Sequence, residues 1–177
     1  MGITDWDWLI FGDGSGSNWN RECGWGSVSV ERQTGERLVW WGFANRGSVN
    51  VAEVMAYLLP LEWLANREQE RVKAGKNRRR ALQIHVVTDS QYVQGTGEVN
   101  NPLVEKNGTL WERFDSLARR GLILNWHWLR RDEVALNSYA DELSKLARRE
   151  FRKYNLQERV PANRSEAGTV YDVNPDG

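Results

Sequence analysis

An α/β fold is what this sequence predicts, with a mixed five-stranded sheet made of a three-strand antiparallel meander followed by parallel strands and flanked by helices. Two observations carry that expectation. Residues 8–44 hold three strand-like runs joined by short glycine-rich or polar turns, the pattern of a meander. Beyond them, helix-length segments alternate with two short apolar runs, and connections of that length allow crossovers between parallel strands.

The first strand covers 8–12, where Trp8-Leu9-Ile10-Phe11-Gly12 is continuously apolar, short and bounded by glycine. It delivers Asp13 at its end, and Gly14-Ser15-Gly16-Ser17-Asn18 reads as a turn. Over 24–32, Val28 and Val30 alternate with polar residues at strand period. Gln33-Thr34-Gly35-Glu36 supplies a turn, and 37–44 returns as the third strand. Ser48 or Asn50 caps a helix over 51–73, in which Val51, Val54, Met55, Leu58 and Leu61 share one face. Glu53 falls in its first turn among apolar residues, an unusual place for a glutamate, and Pro60 predicts a kink or interruption.

A basic loop follows at 73–80. Leu82-Gln83-Ile84-His85-Val86-Val87-Thr88 then forms a fourth strand that ends in Asp89, repeating the logic of the first. Residues 94–108, rich in Gly and Asn, read as loop. A helix is expected over 109–120 with Gly121 ending it, a fifth strand over 122–129, and a last helix over 136–152 with Asp141 in its first turn or two. His85 reads as a hydrogen-bonded sheet residue. His127 faces opposite to Trp126 and Trp128, which read as core, and Cys23 reads as structural. Residues 155–177 form a polar tail that reads as flexible.

With 177 residues, 40% hydrophobic and 27% charged, the chain fits one soluble domain with a core of its own. No apolar run is long enough to span a bilayer, and the N-terminus has neither a basic region nor a signal-like apolar segment. A single cysteine excludes an internal disulfide and a multi-cysteine zinc site, so the cytoplasm is the expected compartment. A monomer is the expected state. Net charge is zero but unevenly spread. Residues 1–62 carry four Arg against eight Asp or Glu, whereas 66–81 carry seven Lys or Arg against two Glu. An acidic first part beside basic later segments suits a metal site near a polyanion-binding surface, and solvated helix faces explain the same pattern more plainly.

Asp13 and Asp89 end strands; Glu53 and Asp141 begin helices. Strand ends and helix starts converge at one edge of an α/β sheet, where ligands bind. Carboxylates gathered there repel one another, and divalent cations resolve the conflict. Oxygen-only ligands favour Mg²⁺ or Mn²⁺ over Zn²⁺. Two such ions, about 3.5–4 Å apart, activate a water and stabilise the leaving oxygen of a phosphodiester.

Asp13-Gly14-Ser15, Asn50-Val51-Ala52-Glu53-Val54-Met55-Ala56, Thr88-Asp89-Ser90-Gln91-Tyr92-Val93 and Asn137-Ser138-Tyr139-Ala140-Asp141-Glu142-Leu143 resemble, in that order, type 1 ribonuclease H (RNase HI-like). Leu110-Trp111-Glu112-Arg113-Phe114-Asp115 and Trp126-His127-Trp128 also look like that family. The resemblance implies a ribonuclease H-like catalytic domain over 1–154. It would be an endoribonuclease with two Mg²⁺ ions, Mn²⁺ substituting, that cuts the RNA strand of an RNA–DNA hybrid and leaves 3′-hydroxyl and 5′-phosphate ends. By the matching motifs, Asp13, Glu53, Asp89 and Asp141 would be the catalytic metal ligands, with Asp13 on both ions. Gly14, Ser15, Asn50 and Gln91 would contact the hybrid, and Ser48 a DNA phosphate.

Three departures qualify that match. The family often carries a histidine in the loop before the last aspartate. Here the loop is Arg130-Arg131-Asp132-Glu133-Val134-Ala135-Leu136, and Asp132 or Glu133 stands near that place, with Asn137 following as a possible auxiliary. Slower turnover than in a histidine-bearing relative is expected. A basic helical protrusion has no counterpart between Val93 and Trp111, so the stretch 73–80 either takes over duplex binding or is a solvated loop. No separate N-terminal hybrid-binding domain is seen. A non-catalytic hybrid-binding module, or a nuclease of the same fold acting on DNA, stays open at this level.

Overall fold

The computed structural model describes residues 5–16, 22–44, 48–76, 80–90, 93, 108–130, 133, 135–155, 163–165 and 170–171. Five strands form the body of the sheet in the order β3-β2-β1-β4-β5: β1 Trp8–Gly16, β2 Cys23–Glu31, β3 Arg37–Ala44, β4 Leu82–Thr88 and β5 Leu122–Trp128. β1, β2 and β3 are antiparallel neighbours, and β4 and β5 add in parallel beside β1. This is the predicted mixed sheet. Among the described residues the helices are α1 Val49–Lys73, α2 Gly108–Arg119 and α3 Ala135–Asn155. The sequence predicts no element past residue 155. The structure pairs β6 Asn163–Ser165 with β3 and β7 Val170–Tyr171 with β6, both antiparallel, so the tail extends the sheet to seven strands.

The two faces of the sheet are covered unequally. The main core lies on one side, where Ile10, Trp25, Trp40, Ile84 and Val86 meet α1 residues such as Met55, Tyr57 and Leu58, with Phe114 and Leu117 of α2. Strand alternation sends the other residues of β2 and β3 to the opposite face. There Val28 and Val39 pack with Leu143, joined by Val30, Trp41 and Leu136. The chain is therefore a helix–sheet–helix sandwich, with α1 on one face and α3 on the other.

Several boundaries differ from the sequence expectation, each for a tertiary reason. β1 continues through Gly14-Ser15-Gly16, paired with Trp25, Gly24 and Cys23, so Asp13 sits inside a strand and not at its end. α1 begins at Val49, capped by Ser48, whose Oγ accepts the Val51 N–H at 3.2 Å. Asn50 is consequently a helical residue, and Glu53 begins the second turn. The helix runs unbroken through Pro60, in a stretch buried from Ala52 to Leu61, and its packing outweighs the lost backbone hydrogen bond. Gly121, with φ of 90°, ends the α2 connection as expected.

His85 and His127 stack on the face opposite α1, with ring planes 7° apart and Nδ1 of His85 2.6 Å from Nε2 of His127. Cys23 is buried in the core. Trp126 packs edge-on against Tyr57 and Phe114, but Trp128 is 40% exposed and is not core. Its Nε1 donates to the backbone oxygen of Asp89 at 3.1 Å.

Candidate active site

Asp13, Glu53 and Asp89 converge from three elements, and one oxygen from each lies within 4.8 Å of the others. Asp13 is 2% exposed and Glu53 7%, while Asp89 is half-buried. The topology explains the meeting. The parallel β1–β4 ladder ends at Phe11↔Val87, and counting on in register sets Asp13 opposite Asp89. The two aspartates thus flank the point where neighbouring strands stop exchanging hydrogen bonds.

Glycines bring Glu53 in. A Cβ on Gly14 would lie 2.4 Å from the backbone nitrogen of Glu53 and 2.9 Å from its Cα. A Cβ on Gly12 would lie 2.9 Å from the Tyr57 ring, and one on Gly16 2.9 Å from Val49. The alternate positions 12, 14 and 16 of β1 therefore carry no side chain, and α1 rests directly on the strand backbone. The Gly-Ser-Gly composition that reads as a turn is set by this helix contact.

Tyr57, one turn after Glu53, is fully buried. Its hydroxyl lies 2.6 Å from the carbonyl oxygen of Gly12 and 2.9 Å from that of Val87. Burial, reinforced by the negative charge of Glu53, holds its pKa well above 10, so it is a neutral donor throughout the working range. Sequence reasoning missed this residue. The available signal was a phenol on the apolar face of a helix, since a buried tyrosine hydroxyl finds a partner.

Asp141 rides on α3, across the sheet from the helix that carries Glu53. It is half-buried on α3, accepts from Lys145 Nζ at 2.5 Å, and stands outside the 4.8 Å group. Its helix is seated on Gly26, the cross-strand partner of Asp13. A Cβ on Gly26 would fall 2.4 Å from Leu143 Cβ and 2.7 Å from the Ala140 oxygen. Arg148 Nη1 donates to the Gly16 oxygen at 3.0 Å, tying α3 to the end of β1.

The remaining expected site residues are placed as follows. Gly14 is the seat of Glu53, and Ser15 is half-buried opposite Gly24. Ser48 is the helix cap, and Asn50 is half-buried in the first turn. Asn137 is 3% exposed, and neither polar atom of its amide has a hydrogen-bond partner among the described residues. Glu133 is exposed and accepts from the Arg130 N–H at 3.3 Å. Gln91 and Asp132 lie outside the described residues, as do 77–79 of the basic stretch. Arg80, at the end of that stretch, donates to Asp7 at 2.9 Å.

The donor set fits a hard divalent cation. Three carboxylates this close repel one another unless protons or a cation compensate, and no imidazole or thiol belongs to the group. Mg²⁺ and Mn²⁺ are the ions that all-oxygen sites of this kind suit.

Solved structures share this architecture. The chain is similar to the N-terminal RNase H domain of Rv2228c from Mycobacterium tuberculosis, at 24% identity and a TM-score of 0.59 over 84% of this chain and 97% of that one. It is also similar to RNase H1 from Halobacterium salinarum, at 22% identity and a TM-score of 0.57 over 81% and 98%. LC11-RNase H1, solved in complex with an RNA/DNA hybrid, matches at 19% identity and a TM-score of 0.59 over 81% and 97%. No protein-family model and no curated protein sequence gives a match. The fold is therefore the ribonuclease H-like fold that the sequence motifs implied.

Proposed function

We propose that this protein is a metal-dependent endoribonuclease that cleaves the RNA strand of RNA–DNA hybrids and leaves 3′-hydroxyl and 5′-phosphate ends. The observation that carries this reading is the convergence of Asp13, Glu53 and Asp89 from three separate elements, with two of them buried. Carboxylates gathered this closely and buried repel one another, and a bound cation relieves that cost. The hybrid bound to LC11-RNase H1, and another bound to a foamy viral protease-reverse transcriptase, 21% of whose chain matches this fold, support the choice of substrate.

In this reading Asp13, Glu53, Asp89 and Asp141 hold two divalent ions, Mg²⁺ or Mn²⁺. When bound, these supply Lewis acidity and a nucleophilic water at neutral pH. The chain's own residues do the positioning. Gly14 lets Glu53 reach the strand, Gly26 seats the helix of Asp141, and Trp128 holds the backbone of Asp89. Gly14, Ser15, Asn50 and Gln91 contact the hybrid, where the RNA 2′-hydroxyl distinguishes the strand to be cut. Ser48 offers a DNA phosphate its place at the helix N-terminus. Asn137, with Asp132 or Glu133, assists from the loop and helix that lead to Asp141. Residues 1–154 form the catalytic domain, acting as a monomer on the hybrid in the cytoplasm. Among the described residues no helix is long and apolar enough to cross a membrane.

The test is cleavage of an end-labelled RNA–DNA hybrid with and without Mg²⁺ or Mn²⁺, beside single-stranded RNA, duplex RNA and duplex DNA. The expected result is metal-dependent cutting of hybrid RNA alone, abolished in Asp89→Asn. Hybrid binding without cutting in either metal would replace the enzyme with a binding module. Cutting of duplex DNA would keep the fold's chemistry and change the substrate.

A further inference from the structure

We infer that Tyr57 is a positioning residue that sets the separation of Asp13 and Asp89, by joining the carbonyls of Gly12 and Val87 where the two strands part. This inference rests on the metal-binding reading of the acidic cluster. Where a parallel ladder ends inside a core the strands lose their mutual backbone bonds, and a buried side-chain donor that reaches both strands can hold them together. The β1–β4 ladder stops at Phe11↔Val87, one residue from Gly12 and two from Asp13 and Asp89. At that point the Tyr57 hydroxyl lies 2.6 Å from the Gly12 oxygen and 2.9 Å from the Val87 oxygen. Its one proton is shared between the two acceptors.

The ring is fixed as firmly as the hydroxyl. Gly12 has no Cβ, and one placed there would meet the Tyr57 ring at 2.9 and 3.0 Å. Trp126 packs against its other side with centroids 5.8 Å apart at 70°. The phenol is thus clamped between β1 and β5 and spans the seam between the strands that carry the two aspartates. Glu53 lies one helical turn before Tyr57 on the same face, so one buried stretch of α1 supplies both a carboxylate and the strut for the other two. A smaller or apolar side chain at 57 would let the strand ends move, and the three carboxylates would lose the spacing that a single ion requires.

Mn²⁺ binding to the full chain, measured by calorimetry and by electron paramagnetic resonance of free Mn²⁺, tests this without relying on activity. The set is wild type, Tyr57→Phe, Asp89→Asn and Leu38→Ala; Leu38 is a buried core residue that pairs with Ser29, toward the opposite end of the sheet. Tyr57→Phe keeps the ring and removes only the hydroxyl. The expected result is Mn²⁺ affinity at least tenfold weaker in Tyr57→Phe and within twofold of wild type in Leu38→Ala, although both lose thermal stability. Equal affinity in Tyr57→Phe and wild type, or an equal loss in Leu38→Ala, overturns the inference while leaving the metal site intact. A wild type that binds no Mn²⁺ overturns the metal reading and this inference with it. Should Tyr57→Phe show no cooperative unfolding, Gly12→Ala, which displaces the ring, carries the test with the same expected loss.

Discussion

Replacing Gly14 with alanine asks whether this residue is a substrate contact or the seat of a catalytic carboxylate. The added methyl would sit 2.4 Å from the Glu53 nitrogen, 2.7 Å from the Ala52 carbonyl carbon and 2.9 Å from the Glu53 Cα. All three are backbone atoms, so no rotamer change relieves the overlap. Ordinary contact begins near 3.4 Å, and the first turns of α1 must therefore retreat by about 1 Å. Overpacking of this kind costs about 1–3 kcal/mol, which a domain of this size survives. A displacement of about 1 Å in a catalytic group costs roughly a hundredfold in rate. Gly14→Ala should thus remain folded, lose about a hundredfold in kcat on an RNA–DNA hybrid, and require more Mg²⁺ for half-maximal rate, whatever its hybrid contact adds to KM. The assay is steady-state cleavage across a Mg²⁺ series, with thermal unfolding and hybrid binding measured in parallel. A variant within threefold of wild-type kcat would refute the seating argument. A rise in KM alone would return Gly14 to the role of substrate contact.

Four further outcomes follow from the geometry. Mg²⁺ at a hundred times its Kd should stabilise the protein by about 2.7 kcal/mol, or roughly 5–11 °C in Tm for a chain of this size, and Asp89→Asn should abolish most of that shift in a thermal melt. Lys145→Met should lower the Mg²⁺ needed for half-maximal cleavage by about twofold, because an exposed i,i+4 pair to the Asp141 carboxylate worth about 0.3–0.5 kcal/mol no longer competes with the ion. Asn137→Leu should leave stability unchanged or raise it by about 1 kcal/mol in chemical denaturation, since a buried amide without partners is removed, while cleavage falls; unchanged cleavage would end its auxiliary role. His127 is held below its ordinary 6.5 by burial and by His85, so between that value and its folded pKa the unfolded chain binds the proton and the folded chain does not. Its contribution is full above about pH 6.5 and is lost as pH falls below it, and His127→Asn should flatten the Tm profile between roughly pH 7 and 5.

Local pattern made β4 legible to the residue, because seven residues of strand character run straight into Asp89. It also gave the meander, Ser48 as one of two cap candidates for α1 and the end of α2 at Gly121, all features set by neighbours in sequence. What it missed depends on partners far along the chain. Gly14-Ser15-Gly16 has turn chemistry in any window, yet it is a strand because α1, more than thirty residues later, leaves no room for side chains there. Trp126 and Trp128 are indistinguishable as residue types two apart on one strand; only the reach of the core makes the first a packing residue and leaves the second at the rim beside Asp89. The four carboxylates were legible as a set through their motifs, but the separation of Asp141 from the other three was not. Asp141 rides on α3, on the face of the sheet opposite the helix that carries Glu53, and it stands outside the group of three.

The placement of the site follows from strand alternation. Gly12, Gly14 and Gly16 face α1, so Asp13, between them, emerges on the face of α3, beside Gly26. Glu53 and Asp141 ride on helices that cover opposite faces. Across the middle of the sheet such groups would be kept apart by the strands and by two layers of side chains, the usual separation of packed layers being about 10 Å. At the end of the β1–β4 ladder three conditions change together. The side chains on the α1 face of β1 shrink to hydrogen, Gly26 does the same for α3, and Asp89 enters at the open seam between β1 and β4. Carboxylates from both faces can approach one another only where the sheet is thinned to backbone and one ladder has stopped. Restoring a side chain at Gly14 or Gly26 should therefore damage the site by different routes, the first through Glu53 and the second through Asp141. If the two sites act independently, the double variant should show losses in metal affinity that add in free energy.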